Sequence, residues 1–375
     1  MKKNWTVAFF IFLLTLIVYF IFCKKTYEEL HYFLPLANSI LHGHIDVKCV
    51  VNLNELVNHG GKCFVVYPPA PALVLLPFTL LFGMKLSQVY PQILLSAGAG
   101  AIFYLFLTKL TKPKNALVLS LLLVFGTNFF MTSMIGRSWY FAHICAVSFL
   151  TFALYFARDK KPYLSGIFLV LAGLSRLPVF LAFPALLYLI QPKKSDYFKF
   201  LLPLICGALL FALYNFLRFE SIFQTGYSLI PGVLDEPFFR EGIFSIAYIP
   251  RNLEAIFISL PDFSRKFPFV VPNYASMSLF LTTPALILLF ASFKNKLSRV
   301  MILTSLLVLI PSFLHGTIGF SQFGYRFSLD CILLLIVALI PALEKLPRFF
   351  YLLFVLSILI NFYIVILFYF GIFSP

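Results

Sequence analysis

TYEELHYFLPLANSILHGHIDVKCVVNLNELVNHGGKCFVVYPPAPALVLLPFTLLFG, from Thr26 to Gly83, follows directly on the first apolar run, Thr6 to Cys23. It is the first long polar segment, and it holds a carboxylate pair (Glu28, Glu29), an amphipathic run, two cysteines and a proline-rich return to apolar sequence. Tyr32, Leu36, Ser39, Ile40 and Gly43 recur at helical spacing, which predicts a short helix over 28–42 lying on a membrane surface. Gly43 ends it. KCVVNL and KCFVVY then read as short extended pieces around the turn signal His59-Gly60-Gly61. The run 70–83 is apolar but short and carries Pro71 and Pro77, so it suits an interfacial or re-entrant segment better than a span.

The composition says what surrounds this stretch. Of 375 residues, 61% are hydrophobic, 18% aromatic and only 11% charged, which excludes a soluble globular protein and predicts an all-α polytopic membrane protein. A membrane helix needs roughly 20 apolar residues, so the length suits about ten or eleven spans. The formal net charge of +15 raises the question of a nucleic-acid partner. The basic residues, however, fall in short clusters between apolar runs, as cytoplasmic loops require, and form no basic stripe. No nucleic acid is expected. Cys145, Cys206 and Cys331 lie in apolar runs and read as small core residues. Cys49 and Cys63 both sit in the opening loop, where a location outside the cytoplasm would allow them to pair. A zinc site with His59 lacks the ligand spacing. The start, MKKNW before a long apolar run with no small-x-small cleavage site, reads as an uncleaved first span.

Charge placement gives the topology. Lys2 and Lys3 hold the N-terminus inside, so the loop 24–83 lies outside. Spans are predicted at 88–108, 115–134, 139–157, 199–216, 273–292, 300–314, 329–343 and 349–371. The segment 163–190 reads as a tight pair of short helices turning at Ser175-Arg176-Leu177-Pro178, because Pro178 cannot continue a helix cleanly. With the first span this makes about eleven crossings, N-terminus cytoplasmic and C-terminus outside. A second outer loop covers 217–272. The whole of 1–375 reads as one integral membrane domain, expected in the plasma (inner) membrane, with no soluble domain and no repeat of fixed period.

Ionisable residues outside the inner clusters gather at the outer helix ends and in the two outer loops. Arg137, Arg176, Arg218, Arg251 and Arg326 supply planar forks that suit phosphate oxygens. A carboxylate cannot hold a phosphate, but it can take a proton from a hydroxyl. Together they suit transfer of a group from a phosphate leaving group to an alcohol. His143 lies among them, and Trp139, Tyr140 and Tyr325 are placed to stack on sugar faces. Each residue also has a plain reading, since outer arginines bind lipid headgroups and interfacial Trp and Tyr form belts.

Four stretches carry a family resemblance: the opening Glu28-Glu29, Tyr32, Ala37, Gly43; the run Tyr67 to Ala72; GRSWYFAH (136–143); and GLSRLPVFLAFP (173–184). YNFLRFESIFQTGY and FGYRFSLD add to them. The chain resembles the GT-C superfamily of membrane glycosyltransferases, in particular its mannosyltransferase-like branch, which uses polyprenyl-phosphate sugars. The resemblance fits a GT-C-like fold with a long first outer loop of short amphipathic helices and a re-entrant segment, the stretch that reads from its residues as a lid and acidic floor. It implies an inverting hexosyl- or pentosyltransferase acting on the outer face, with an acid of the first loop as base. Glu28 comes first and Glu29 second. Many members carry Asp at the first position, which leaves Glu29 and Asp46 as alternatives. Tyr32 and Tyr67 join the substrate-binding set. The partners implied are a polyprenyl-phosphate sugar, an unspecified glycan, lipid or protein acceptor, and membrane lipids. No Asp-x-Asp occurs, so a divalent metal has no sequence support and no cofactor is expected. The other reading from a different class is a transporter or flippase of a lipid-linked saccharide, which inverted repeats would favour and which none supports.

Overall fold

A backbone that crosses hydrocarbon has no water to bond to, so a single apolar segment closes its hydrogen bonds on itself as a helix. The computed structural model, which describes residues 2–23, 31–50, 55–319 and 321–373, is mostly helical. Six of its helices are long and apolar enough to cross a membrane. They are α1 (Lys2–Phe22), α4 (Val89–Leu107), α7 (Ser138–Arg158), α10 (Lys194–Phe219), α14 (Lys296–Leu314) and α17 (Pro347–Tyr369). The sequence suggested about eleven crossings. The other apolar runs are shorter or broken, and each break has a local cause. The run expected as one span over 115–134 is split into α5 (Pro113–Phe125) and the single turn α6 (Phe129–Thr132), with Gly126 between them. Residues 162–190 form α8 (Pro162–Gly173), a 3-10 turn Leu177–Ala182 and α9 (Phe183–Ile190), with the chain reversing at the expected Ser175–Pro178 turn.

The run 273–292, expected as one span, is instead α12 (Leu279–Thr282), a 3-10 turn Pro284–Leu288 and α13 (Leu289–Ser292). Pro284 has no N–H to give and clashes with a preceding helical turn. The last helix repairs this break. Asn361 Nδ2 donates to Thr282 O at 2.8 Å, and Ser357 Oγ accepts from Ala285 N at 3.1 Å. The run 329–343 likewise becomes a 3-10 turn Arg326–Asp330 followed by α15 (Ile332–Ala338) and α16 (Ile340–Lys345).

Contacts sort the helix ends into two groups. Phe22, at the end of α1, meets Phe362 and Tyr369 of α17 at ring distances of 6.3 and 5.7 Å, so the two helices run parallel. Phe20 stacks on Tyr90 at the start of α4, 5.8 Å away, so α4 runs antiparallel to α1. At the opposite end, Lys109 pairs with Asp159 at 2.5 Å, Lys160 Nζ donates to Ile190 O at 2.9 Å, and Thr111 Oγ1 donates to Glu344 at 2.8 Å. That end collects the basic clusters of the sequence. The other is the first-loop end.

The first loop contains α2 (Phe33–Leu41), shorter than the 28–42 expected; positions 28–30 lie outside the described residues. Gly43 then takes φ +79°, the left-handed turn that ends the helix. A hairpin follows, β1 (Leu56–His59) against β2 (Lys62–Val65), with Gly60 and Gly61 both at positive φ. Two such residues make the turn whose twist matches a hairpin. The strand paired with KCFV is LVNH, and KCVVNL, expected as a short extended piece, falls partly in the undescribed 51–54. Cys49 and Cys63 are joined by a disulfide, and Val47 N–H donates to Cys63 O at 2.8 Å. α3 (Ala70–Phe82) has 13 residues. At about 1.5 Å per residue it rises about 20 Å, less than the roughly 30 Å of a hydrocarbon core.

The second loop holds four 3-10 turns, α11 (Ile249–Phe257) and a second hairpin, β3 (Asp262–Phe263) against β4 (Val270–Val271). One close helix contact lies between α8 and α10. A Cβ on Gly166 would sit 2.6 Å from Phe200 O, a backbone atom that cannot swing aside. Gly166→Val should therefore push the two helices apart and cost about 1–3 kcal/mol. The check is thermal unfolding of the purified protein in detergent. A lower melting temperature is expected, and an unchanged one would mean the helices do not touch there.

Candidate functional site

The first loop closes over the start of α7. Tyr32 N–H donates to Ser138 Oγ at 2.8 Å, and Gln88 Nε2 donates to Gly136 O at 2.9 Å. This fixes α2 and the head of α4 against the 136–140 turn. It also brings the loop's Tyr67, two residues after β2, beside Trp139 in the first turn of α7.

Between them lies Glu55, half-buried at the foot of β1. Its Oε2 accepts from Trp139 Nε1 at 2.8 Å and from the Tyr67 hydroxyl. Its own N–H reaches the Tyr32 hydroxyl at 3.4 Å, and the rings of Tyr32 and Tyr67 meet edge-to-face at 5.5 Å. Burial pushes the Glu55 carboxyl above its ordinary range, while the Tyr67 and Trp139 hydrogen bonds and the Arg326 charge pull the other way. Burial prevails, because removing a carboxylate from water disfavours its charged form. Burial, with the neighbouring Glu55 charge, also raises the Tyr67 phenol, which keeps it a donor.

Arg326, buried to 6% exposure, supplies the opposite charge. Its guanidinium lies 4.7 Å from the Tyr140 ring centroid. Its Nε and Nη1 have no hydrogen-bond partner among the described residues. Unpaired donors on a buried cation are costly and favour an anion beside them. Tyr140 donates its hydroxyl to Ser321 O, and Arg137 Nη1 donates to Ser321 Oγ at 2.9 Å.

A second charged group stands alongside. Asp330 accepts two bonds from Arg176, Nε to Oδ1 at 3.2 Å and Nη2 to Oδ2 at 3.0 Å. The same Oδ1 lies 2.9 Å from His143 Nδ1, while His143 Nε2 has no partner among the described residues. Arg176 also sits 5.2 Å from the Phe327 ring. Phe327, whose ring Arg176 covers, directly follows Arg326, so the two groups are neighbours.

Of the residues singled out in the sequence, Tyr32, Tyr67 and Trp139 meet at Glu55, Tyr140 and Arg326 meet each other, Arg137 is tied to Tyr140 through Ser321, and His143 and Arg176 meet at Asp330. The rest lie apart. Arg218 is enclosed by Tyr214 and Phe219 and donates to Val65 O and, at 2.7 Å, to Asn215 Oδ1, tying the end of α10 to β2. Arg251 donates to Gly316 O, and the Tyr325 hydroxyl donates to Asn252 Oδ1 at 2.9 Å. Asp46 sits on the hairpin, 3.9 Å from Lys62. Glu28 and Glu29 lie outside the described residues. Glu55 was not singled out, since nothing in NLNELVNH marks one acid as buried; its place just before an alternating strand and a Gly-Gly turn was the available signal.

No family model matches the chain, and no curated protein is significantly similar to it. Among solved structures, the oligosaccharyltransferase of Archaeoglobus fulgidus in the apo form is similar with a TM-score of 0.49 and 12% identity. The match covers 96% of this chain and 56% of that one, so this chain spans about half the length of that protein. At that level of likeness nothing about this chain's activity follows from it.

Two expectations follow from the charges. Asp330→Ala strands Arg176 without its acceptor. Breaking a buried pair costs about 3–5 kcal/mol, and the lower end applies because Arg176 keeps 25% of its side chain exposed. Thermal unfolding in detergent measures it, and a loss well under 1 kcal/mol would mean that solvent replaces the pair. For Glu55 the folded state raises the carboxyl above its unfolded value. The folded protein thus holds a proton that the unfolded chain has lost, and stability falls as pH rises from the ordinary carboxyl range through the raised value. Glu55→Gln should remove that slope, so the variant melts above the parent at neutral pH and the gap closes in acid. Equal pH dependence in both would show that Glu55 titrates normally.

Proposed function

We propose that this chain is a membrane glycosyltransferase that moves a sugar from a polyprenyl-phosphate donor to an acceptor hydroxyl on the outer face of the membrane. The observation that carries the reading is the placement of a carboxyl raised by burial, Glu55, within the field of Arg326, a buried arginine with unpartnered donors. The pair combines a proton acceptor with an anion holder; the Trp139 ring stands beside Glu55 and the Tyr140 ring beside Arg326.

In this reading the acceptor oxygen attacks the anomeric carbon from the side opposite the phosphate. A carboxylate takes the hydroxyl proton, the bond from the anomeric carbon to the phosphate oxygen breaks, and its electron pair leaves with the phosphate. The configuration inverts. Arg326, with Arg137 and Arg176 nearby, holds the phosphate as its charge grows, which favours the transition state over the bound substrate. The base is an acid of the first loop. Glu28, Glu29 and Asp46 are candidates from the resemblance, and Glu55 joins them as the acid that the fold seats among hydrogen-bond donors. Trp139 and Tyr140 stack on the sugar, and Tyr32 and Tyr67 orient Glu55. His143 is held by Asp330 with its free Nε2 available to a substrate hydroxyl.

The test is to incubate the purified protein with a panel of polyprenyl-phosphate sugars and follow donor and product by mass spectrometry. Glu28→Gln, Glu29→Gln, Asp46→Asn and Glu55→Gln are then compared. Loss of the base should lower kcat by about 10²–10⁴-fold with the fold retained. Arg326→Gln should weaken both donor binding and turnover. Normal turnover in all four acid variants would overturn the mechanism, and no donor consumed in the panel would overturn the activity.

A further inference from the structure

The β3–β4 hairpin is not used by the site, and its surface is unusual. Phe263, Phe267 and Phe269 are 73%, 72% and 56% exposed. Between the first two stand Arg265 and Lys266, also exposed. Three bare phenylalanines with two adjacent cations at the tip of a hairpin would be a poor surface in water. The conformation is nonetheless defined. Ser264 N–H donates to Phe269 O and Phe269 N–H to Lys266 O, both at 2.8 Å, and Asn273 Nδ2 donates to Asp262 Oδ1 at 3.2 Å. A two-stranded hairpin is marginal alone, so its support matters. That support is α17, one of the six helices able to cross a membrane: the Tyr363 hydroxyl donates to Pro268 O and Val270 O, both at 2.8 Å.

We propose that this hairpin is an interfacial anchor, with Phe263, Phe267 and Phe269 seated at the headgroup–acyl boundary and Arg265 and Lys266 holding the phosphates of anionic lipid headgroups. Depth is the first argument. Tyr363 lies six residues before Tyr369, the last residue of α17. At about 1.5 Å per residue that is about 9 Å from the helix end, within the roughly 5–10 Å to which interfacial elements sink. The second argument is continuity. Leu359, Ile366 and Phe370 of the same helix end are 60%, 39% and 70% exposed, so the hairpin extends an apolar belt that lipid would already cover. Charge is the third. Asp262, the acid of the hairpin, is engaged by Asn273, which leaves the tip cationic, and long basic side chains reach up to headgroups while their stems stay in apolar surroundings. The inference rests on the membrane reading of the six helices and not on the transfer reaction.

The test uses fluorescence and needs no turnover. Phe267→Trp, and separately Phe269→Trp, is made in a chain whose Trp5 and Trp139 are replaced by Phe. The protein is reconstituted in phosphatidylcholine vesicles with and without phosphatidylglycerol. Lipids brominated near the headgroup should quench the new tryptophan several-fold more than lipids brominated near the chain ends, and aqueous iodide should quench it weakly. Efficient quenching by iodide alone overturns the proposal. So does shielding from iodide and lipid alike, which would mark a second copy or another protein as the occupant. Energy transfer to a labelled phosphatidylglycerol should fall in Arg265→Gln/Lys266→Gln. Unchanged transfer in a variant that still melts like the parent would remove the headgroup role.

Discussion

Asp330 sets the terms for the first-loop end. It is fully buried, and an ionised carboxyl there must be met by a cation and by hydrogen bonds. Arg176 supplies two of these and His143 a third. The three residues come from three places: the reversal between α8 and α9, the second turn of α7, and the 3-10 turn that precedes α15. One carboxylate thus fixes the relative position of three segments, and the contact of Arg326 with Tyr140 adds a second link between two of them. Trp139 and Tyr140 ride on the same first turns of α7 as His143. Arg326 rides on the same 3-10 turn as Asp330. Holding the pair therefore holds the rings and the Arg326 guanidinium in register with each other.

The first loop meets this frame from above α7. Its disulfide and Gly-Gly turn make the hairpin a firm support, and Arg218 bonds β2 to the end of α10. Glu55 is consequently held by both sides. Its backbone belongs to the loop, and its carboxyl is gripped by Trp139 of the helix frame. A carboxyl kept out of water in this way is destabilising where it stands. Its cost is tolerated because the loop and the frame are each anchored by other means. Buried acids with a raised proton affinity, set near a buried cation, are a recurring arrangement where protons are moved.

Much of this was legible in the residues. Apolar run length found all six long helices, because in such runs length and hydropathy act with little competition. The reversal at Ser175-Arg176-Leu177-Pro178 was visible because Pro178 acts locally. Helix interruption by Pro284 was not, since residues 273–292 keep their hydropathy whether the helix is whole or broken. The choice between LVNH and KCVVNL as a strand depended on a register that only pairing decides. Arg218 and Arg326 look alike in sequence, both beside phenylalanines at helix ends. One ends with its donors satisfied by backbone and amide, the other with donors to spare, and that difference arises from long-range packing. Glu55 was passed over for the same reason: its partners lie 12 and 84 residues away.

The repair at Thr282 and Ala285 bears on how the chain is made. Residues 279–292 expose backbone groups that their own segment leaves unsatisfied, and the groups that answer them, Asn361 and Ser357, belong to α17. During synthesis the broken segment leaves the ribosome well before its partner does. For that interval it is an unfinished piece of backbone at membrane depth, in need of water, lipid headgroups or an insertion factor as a temporary substitute. α17 is then less an appendage to the bundle than the element that satisfies the broken segment.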